Sequence, residues 1–328
     1  MKVVMTGITG FVGSALARHL AAEGAELYGV VRPTSSLARL DGLDVTILPA
    51  DLLERSSLKG VFDWADWVIH AAGMLGQAGV PESAYHRLHV DGTNHVLAEI
   101  AELDDPPRVL YVSSPGVLGP IGGKPADEMA VHAPTNAYER SKSAAEMLVN
   151  TYAHYGLPVV IARPEFIYGP GDVHVLGLFQ AVQNGRFFTI GGGEHVCHPT
   201  FVADAVEGMV CCLRNGRSGE TYHIAGPEPV TFRHLAETIA QALGVAPPRF
   251  NVPRSLAMAG ATGLEVAAGL FKNKFTPPLS RSGVAFFSED RRFSWQKAHD
   301  ELGYTPQHTL AMGVAKTVAW YREQGLLN

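Results

Sequence analysis

Cysteine is scarce. The chain of 328 residues has three, Cys197, Cys211 and Cys212, which cannot all pair, and the adjacent two are poor partners geometrically. A disulfide framework is excluded and a reduced compartment is expected. Long apolar runs are missing too: no uninterrupted stretch is long enough to span a bilayer, and no signal-peptide pattern precedes the apolar run that begins at Lys2-Val3-Val4-Met5. The nearest approach to a membrane segment, SLAMAGATGLEVAAGLF at 255–271, carries Glu265 and is rich in Gly and Ala, which suits a packed helix or a lid. A soluble cytoplasmic protein without a membrane partner is the expectation. Nor is there a Lys/Arg run. The net charge of −6 is spread over interspersed acidic and basic residues, so nucleic acid is not an expected partner. Internal repeats and low-complexity tracts are absent as well.

What is present is alternation. Short β-branched runs (VVMTG, LYGVVR, VTILPAD, WVIHAAG, RVLYVSS, VVIARP) are separated by amphipathic stretches such as SALARHLAAEG, 83–103 and AYERSKSAAEML. Strands alternating with helices specify an α/β fold with a doubly wound parallel sheet covered on both faces. From about Glu165 the pattern loosens into Gly- and Pro-rich loops (GPGD, GGGEH, PPRF, TPPL), and HPTFVADAVEGMV and GETYHIAG read as a helix and strand that return to the first region. The expected division is a dinucleotide-binding domain of residues 1–165 plus about 198–225, and a smaller substrate-binding region of about 166–197 plus 226–328.

The first strand runs into TGITGFVG, residues 6–13, and then into a helix, which is the context a phosphate-cradling glycine loop needs. Gly7 permits the tight turn, Gly10 lets backbone approach a pyrophosphate, and Gly13 lets helix and strand pack, with the helix N-terminus donating N–H groups to the anion. At the end of the second strand, where a carboxylate would grip the 2′-hydroxyl of NAD, stands Arg32. A guanidinium there suits a 2′-phosphate, with Ser35, Ser36 and Arg39 in reach, and favours NADP; Arg32 stacked on adenine or merely solvated leaves NAD open. Asp51 can accept from the adenine amino group or act as a helix N-cap, and the two readings are compatible.

Tyr138 and Lys142, in YERSK, share a helix face at i and i+4. An ammonium beside the phenol is expected to lower its pKa from about 10 and make it a usable acid/base near neutrality. The alternative is an amphipathic surface pair. Ser114, at the end of YVSS, can hydrogen-bond a substrate oxygen and stabilise alkoxide charge, with Ser113 the competing assignment. TGITGFVG, ADL, HAAG (70–73), YVSS (111–114) and YERSK occur in the order and spacing of the extended short-chain dehydrogenase/reductases. RPEFIYGPGD (163–172) and GETYHIAGPEPVTFRHLAETIAQALG (219–244) extend that resemblance over nearly the whole chain.

The resemblance implies a Rossmann fold, a homodimer formed through the helices at about 83–103 and 138–155, and catalysis by Ser114, Tyr138 and Lys142, with Lys142 also holding the nicotinamide ribose. Cofactor contacts are implied at Thr6, Gly7, Thr9, Gly10, Phe11, Val12, Gly13, Arg32, Ser35, Ser36, Asp51, Leu52, Ala71, Ala72, Gly73, Lys142, Pro164 and Ile167. Candidate substrate contacts are Met74, Ser114, Tyr138, Glu165, Phe166 and His198.

Departures from the family pattern narrow the activity. Sugar dehydratases carry an acidic pair just after the Ser/Thr, where this chain has Pro115 and Gly116. Nucleotide-sugar epimerases usually place an Asn before V-Y-G-P and an Arg ahead of H-V-D-D, where this chain has Phe166 and Cys197, side chains that cannot hold a diphosphate. An apolar set, Phe166, Tyr168, Val173, Phe179, Phe187 and Phe188, reads either as pocket or as second-region core, with core the expectation for at least half. His89 replaces the usual Asn of N-V-x-G-T, so a relay or kink that uses the Asn is in doubt, although imidazole can also relay a proton. His195, Cys197 and His198 match no closed zinc set, so no metal is expected. VVRPTSS, RPEFIYGPGD and the tail FFSEDRRFSWQKAHDELGYTP resemble members near dihydroflavonol reductases and 3β-hydroxysteroid dehydrogenases, and the reading is interconversion of a ketone and a secondary alcohol on a small or hydrophobic substrate. A sugar epimerase using the same residues, or a non-catalytic NADP-binding sensor, are the alternatives.

Overall fold

The computed structural model describes residues 1–77, 79–270 and 280–328; the expected TPPL loop and Phe271 lie outside them. Six strands, β1 (Lys2–Thr6), β2 (Glu26–Val31), β3 (Val45–Pro49), β4 (Trp67–His70), β5 (Arg108–Val112) and β6 (Val159–Pro164), join Thr221–Ile224 in one parallel sheet. Its order is Thr221–Ile224, β6, β5, β4, β1, β2, β3. The order reverses between β4 and β1, the crevice where doubly wound sheets bind ligands.

Alternation along each strand feeds two cores. Val3 and Met5 of β1, Leu110 of β5 and Val160 and Ala162 of β6 enter one core with Leu16, Ala17 and Leu20 of the helix Phe11–Ala22 and with the helix Val202–Asn215. Val4, Val109, Tyr111, Val159 and Ile161 enter the other, with Val96 and Ile100 on one helix and Ala145 and Val149 on the helix Ala137–His154. Each fully buried aliphatic side chain contributes about 1.5–3 kcal/mol. A one-residue slip would exchange the two sets, so the register is strongly fixed.

The excursion after β6 is built from small pairings, among them Ile167–Tyr168 with Thr200–Phe201 and Val196–Cys197 with Val230–Thr231. The segment at 255–270 is a helix, Arg254–Leu270, whose Ala257, Ala261 and Ala268 are buried, the first two against Ile190 and Val284. No helix among the described residues is long and apolar enough to cross a membrane.

Candidate active site

The glycine loop is shaped by backbone crowding. Gly7 sits at φ 72°, and a Cβ there would lie 2.5 Å from Ala72 N; a Cβ on Gly13 would lie 2.1 Å from the Gly7 carbonyl oxygen. These two glycines let β1, β4 and the first helix meet. Gly10 is exposed and is the N-cap of Phe11–Ala22, with no side-chain cap and no acidic residue in the first turn. The first-turn N–H groups, including those of the half-buried Phe11 and Val12, are thus left to an anion, and these residues fit a dinucleotide pyrophosphate. Replacing Gly13 by Ala is expected to abolish nicotinamide-cofactor binding, read by fluorescence titration of the reduced cofactor; retained affinity would contradict this account of the loop.

Around the loop, the anticipated contacts divide. Thr9, Ala71 and Ala72 are half-buried and Gly73 is exposed at the sheet's C-terminal edge. Thr6 is fully buried, its hydroxyl bonded to His70 Nδ1 (2.6 Å) and accepting from Ala72 N (3.3 Å), so it braces the loop from beneath. The Leu52 side chain is in the core, and Leu52 O accepts from His95. Asp51 Oδ1 accepts from Leu53 N–H at 3.0 Å, closing a turn; it does not cap a helix, since the short helix Arg55–Leu58 that follows has Glu54 at its N-cap. Arg32 and Ser36 are exposed beyond β2, with Ser35 half-buried in the turn closed by its N–H to the Arg32 carbonyl. Arg39, expected in reach of the same phosphate, donates instead to the Gly171 carbonyl at 2.5 Å.

The helix Ala137–His154, which carries Tyr138 and Lys142, is set by its first turn. Asn136 accepts from Glu139 N, and Glu139 reaches back to Thr135 N at 2.7 Å, a reciprocal cap. Tyr138, Lys142 and Glu146 then fall on one face over β5. The Lys142 ammonium is buried and donates to Tyr111 Oη (3.1 Å) and the Val112 carbonyl (2.8 Å), while Ser113 donates to Glu146 at 2.5 Å. Ser113 is therefore committed to the interior. Ser114, one residue on, accepts from Gly116 N–H at 3.1 Å as the cap of the short helix Pro115–Leu118, and its hydroxyl is near enough to Tyr138 to act on the phenol's pKa.

The expected lowering of the Tyr138 pKa by Lys142 is not found. Burial pushes the phenol up to about 12, a hydrogen bond with Ser114 opposes that, and Lys142 is directed to Tyr111 instead. Burial likewise brings Lys142 down to about 8, against the pull of Glu146. A phenol that keeps its proton in the neutral range is the state required of a proton donor.

The helical stretch at 82–101 contains a π turn, Arg87–Asp91, which turns His89 inward. His89 Nε2 accepts from Met74 N–H (3.0 Å), so Nδ1 carries the proton and donates to Ser141 Oγ (2.8 Å), which donates to the Tyr138 carbonyl (2.7 Å). Burial, then Lys142, hold its pKa at about 3. With Nε2 capped by an amide, this imidazole cannot pass a proton onward; it clamps residues 73–77 over Tyr138. Tyr85 Oη adds a second clamp, accepting from Gln77 N at 2.7 Å. A Cβ on Gly76 would lie 3.4 Å from Tyr138 Cβ. Sequence reasoning missed Tyr111 and Tyr85 in these roles, although Glu146, four residues beyond Lys142, marks the face that meets β5.

Pro164, the last residue of β6, and Glu165 after it are buried, and Ile167 is half-buried. Phe166 is the one non-glycine residue with positive φ (26°) among those described, and its ring packs edge-on against Phe286. The apolar set splits: Tyr168 and Phe179 are core, Val173 is exposed, Phe188 packs beside Ile190, and Phe187 joins Phe232, Phe286 and Phe287. His198 is corrected as a substrate contact: it is 1% exposed, with Nε2 donating to the Gly226 carbonyl and Nδ1 accepting from Phe293 N. Cys197 and His195 turn to Val230 and Asp290, and no metal-holding group of His, Cys, Asp or Glu occurs among the described residues.

A doubly wound sheet, an uncapped glycine loop at its switch point and a Ser-Tyr-Lys set at the neighbouring strand ends define a nicotinamide-dinucleotide enzyme. The chain belongs to the NAD dependent epimerase/dehydratase family, which it matches over residues 3–225, and so is an NAD(P)-dependent enzyme of the extended short-chain dehydrogenase/reductase type. It is 29% identical to the 4-hydroxy-2-methyl-3-oxo-4-farnesyl-3,4-dihydroquinoline-1-oxide ketoreductase of Stigmatella aurantiaca, over 96% of this chain and 95% of that one. It is also 28% identical to the 2-alkyl-3-oxoalkanoate reductase of Stenotrophomonas maltophilia, over 97% and 99%. Among solved structures, gox2253 is similar with a TM-score of 0.84 and 27% identity, over 99% of both chains.

Proposed function

We propose that the protein is an NADP(H)-preferring ketoreductase that interconverts a ketone and a secondary alcohol on a small or hydrophobic substrate. The observation that carries this is that Ser114 and the half-buried Tyr138 stand together while no carboxylate follows Ser114, only Pro115 and Gly116. Similarity to two reductases of ketone substrates supports the same reading.

The bound nicotinamide supplies or accepts the hydride. Gly10 and the first helix turn hold its pyrophosphate, Arg32 with Ser35 and Ser36 takes the 2′-phosphate, and Lys142, fixed by Tyr111 and Val112, offers its remaining N–H to the ribose. Ser114 and Tyr138 both donate to the substrate oxygen, polarising the carbonyl. Tyr138 gives up its proton as alkoxide charge develops. Residues 73–77, pinned by His89 and Tyr85, cover the ring.

Two measurements test this. With cofactor deuterated on the transferred face at C4, deuterium should appear on the carbinol carbon of the product; its absence would remove hydride transfer. Changing Arg32 to Asp should weaken NADPH binding by roughly tenfold or more while changing NADH binding little, as expected for loss of a charge-assisted phosphate contact. Equal losses would remove the case for NADP.

A further inference from the structure

The loop at 169–172, GPGD, follows the strand Ile167–Tyr168 and crosses to the N-terminus of the first helix. A Cβ on Gly171 would lie 3.5 Å from Phe11 Cδ2, so the loop backbone rests on the ring of the first residue of Phe11–Ala22. The same point is 3.7 Å from Arg39 Nη1, which donates to the Gly171 carbonyl at 2.5 Å. Arg39 is held in turn from the helix: Arg18 donates to the carbonyls of Arg39 (2.9 Å) and Asp41 (3.0 Å), and Leu40 between them is buried in the core. Three pieces of chain thus meet at this helix N-terminus: Phe11, the segment after β2 that carries Arg32, Ser35, Ser36 and Arg39, and the loop at 169–172. The loop is closed at a cost. Asp172 is 1% exposed; its Oδ1 accepts from His174 N–H at 2.7 Å, but Oδ2 is sealed from solvent without a donor. Such an acceptor favours an open position in which water reaches it, and the charge-assisted bond from Arg39 opposes opening from outside the loop.

We propose that the Arg39–Gly171 bond is a strap over the bound dinucleotide that sets the cofactor's rate of release. Arg39 is then a positioning residue, acting through the loop and not on the 2′-phosphate. The proposal rests on the dinucleotide lying along the glycine loop, and on neither the ketone nor the preference for NADP. A cofactor with its pyrophosphate at the first turn of Phe11–Ala22 and its adenosine at the end of β2 runs from Phe11 towards the segment that carries Arg39. The strap ties that segment back to the loop lying on Phe11, and so spans the two ends of this path. A group enclosed between them leaves only when the bond breaks, which makes release the step that Arg39 controls.

The test is a stopped-flow chase without ketone. Protein loaded with NADPH or NADH is mixed with excess NADP+ or NAD+, and the fluorescence of the reduced nicotinamide is followed as it leaves; association is measured separately by mixing free protein with each reduced cofactor. Arg39→Met, which keeps the length of the side chain and loses the donor, should speed release of both cofactors by a similar factor, roughly tenfold or more, without slowing association. Arg39→Lys, which can still donate to the carbonyl, should release at a rate between that of Arg39→Met and the wild type. Unchanged release in Arg39→Met would overturn the strap. Faster release of NADPH alone would overturn it too and make Arg39 a ligand of the 2′-phosphate, and slower association of both would reduce it to a support of the site's shape. Wild-type protein that binds neither cofactor would sink the placing of the dinucleotide, and the strap with it; intact binding with unchanged release sinks the strap alone.

Discussion

Replacing Tyr138 by Phe should lower kcat for ketone reduction by about 10²–10⁴ while leaving the Kd of the reduced cofactor unchanged. The ring of Tyr138 is packed edge-on against Tyr85 (centroids 6.2 Å apart) and His89 (5.7 Å), and under Gly76, contacts that phenylalanine keeps. Only the O–H is lost, so the effect reports proton donation and not folding. Because burial holds the phenol up at about 12, it is protonated through the neutral range, which suits reduction; alcohol oxidation needs the opposite state and should accelerate as pH rises. Turnover within about threefold of wild type, at unchanged cofactor affinity, would dispose of the mechanism.

Replacing Arg163 by Met should destabilise the protein by about 3–5 kcal/mol at pH 7, measured by urea unfolding. Arg163 is 3% exposed and pairs at 2.5 Å with Glu146, which is fully buried, accepts from Ser113, and lies 3.4 Å from His132. Removing the guanidinium leaves a buried carboxylate without its main partner. Burial pushes the Glu146 pKa up, but hydrogen bonds from His132, Arg163 and Ser113, together with the Arg163 charge, hold it at about 2. For a carboxyl depressed in the folded state, the stabilisation is complete above its unfolded value, near 4.5, and is lost as pH falls towards about 2. The wild-type protein should therefore lose stability through that acid window, and the Arg163→Met variant should lose much less there. Substituting Leu for Glu146 in the same variant should restore part of the loss, since an apolar pair removes the stranded charge. Unchanged urea midpoints for Arg163→Met would contradict the ledger for this pair.

The sheet and the glycine loop were legible because their signals are local: period-two alternation, a strand-turn-helix context, and i, i+4 spacing. The sequence alone could name Tyr138, Lys142 and Ser114, yet not how they are held. Lys142 meets Tyr111 across 31 residues, and Glu146 meets Arg163 across 17, pairings that only the packing of the helix on β5 and β6 creates. The expected lowering of the Tyr138 pKa failed for a related reason: sequence spacing reveals a neighbouring charge but not the desolvation that outweighs it. His198 failed as a substrate contact because two backbone groups from distant segments, Gly226 and Phe293, enclose it. The substitution at His89 was visible, and its consequence was not, since the clamp depends on a π turn and on the Met74 amide.

The most direct measurement is NMR on the purified protein with reduced cofactor and a mixed panel of hydroxysteroid-type ketones, flavonoid-type ketones, short β-keto compounds and nucleotide sugars, watching substrate and nicotinamide signals in one tube. A ketone consumed in step with cofactor oxidation, one for one, is the result the account predicts. Inversion at a sugar carbon with the cofactor pool unchanged would contradict it and make the protein an epimerase.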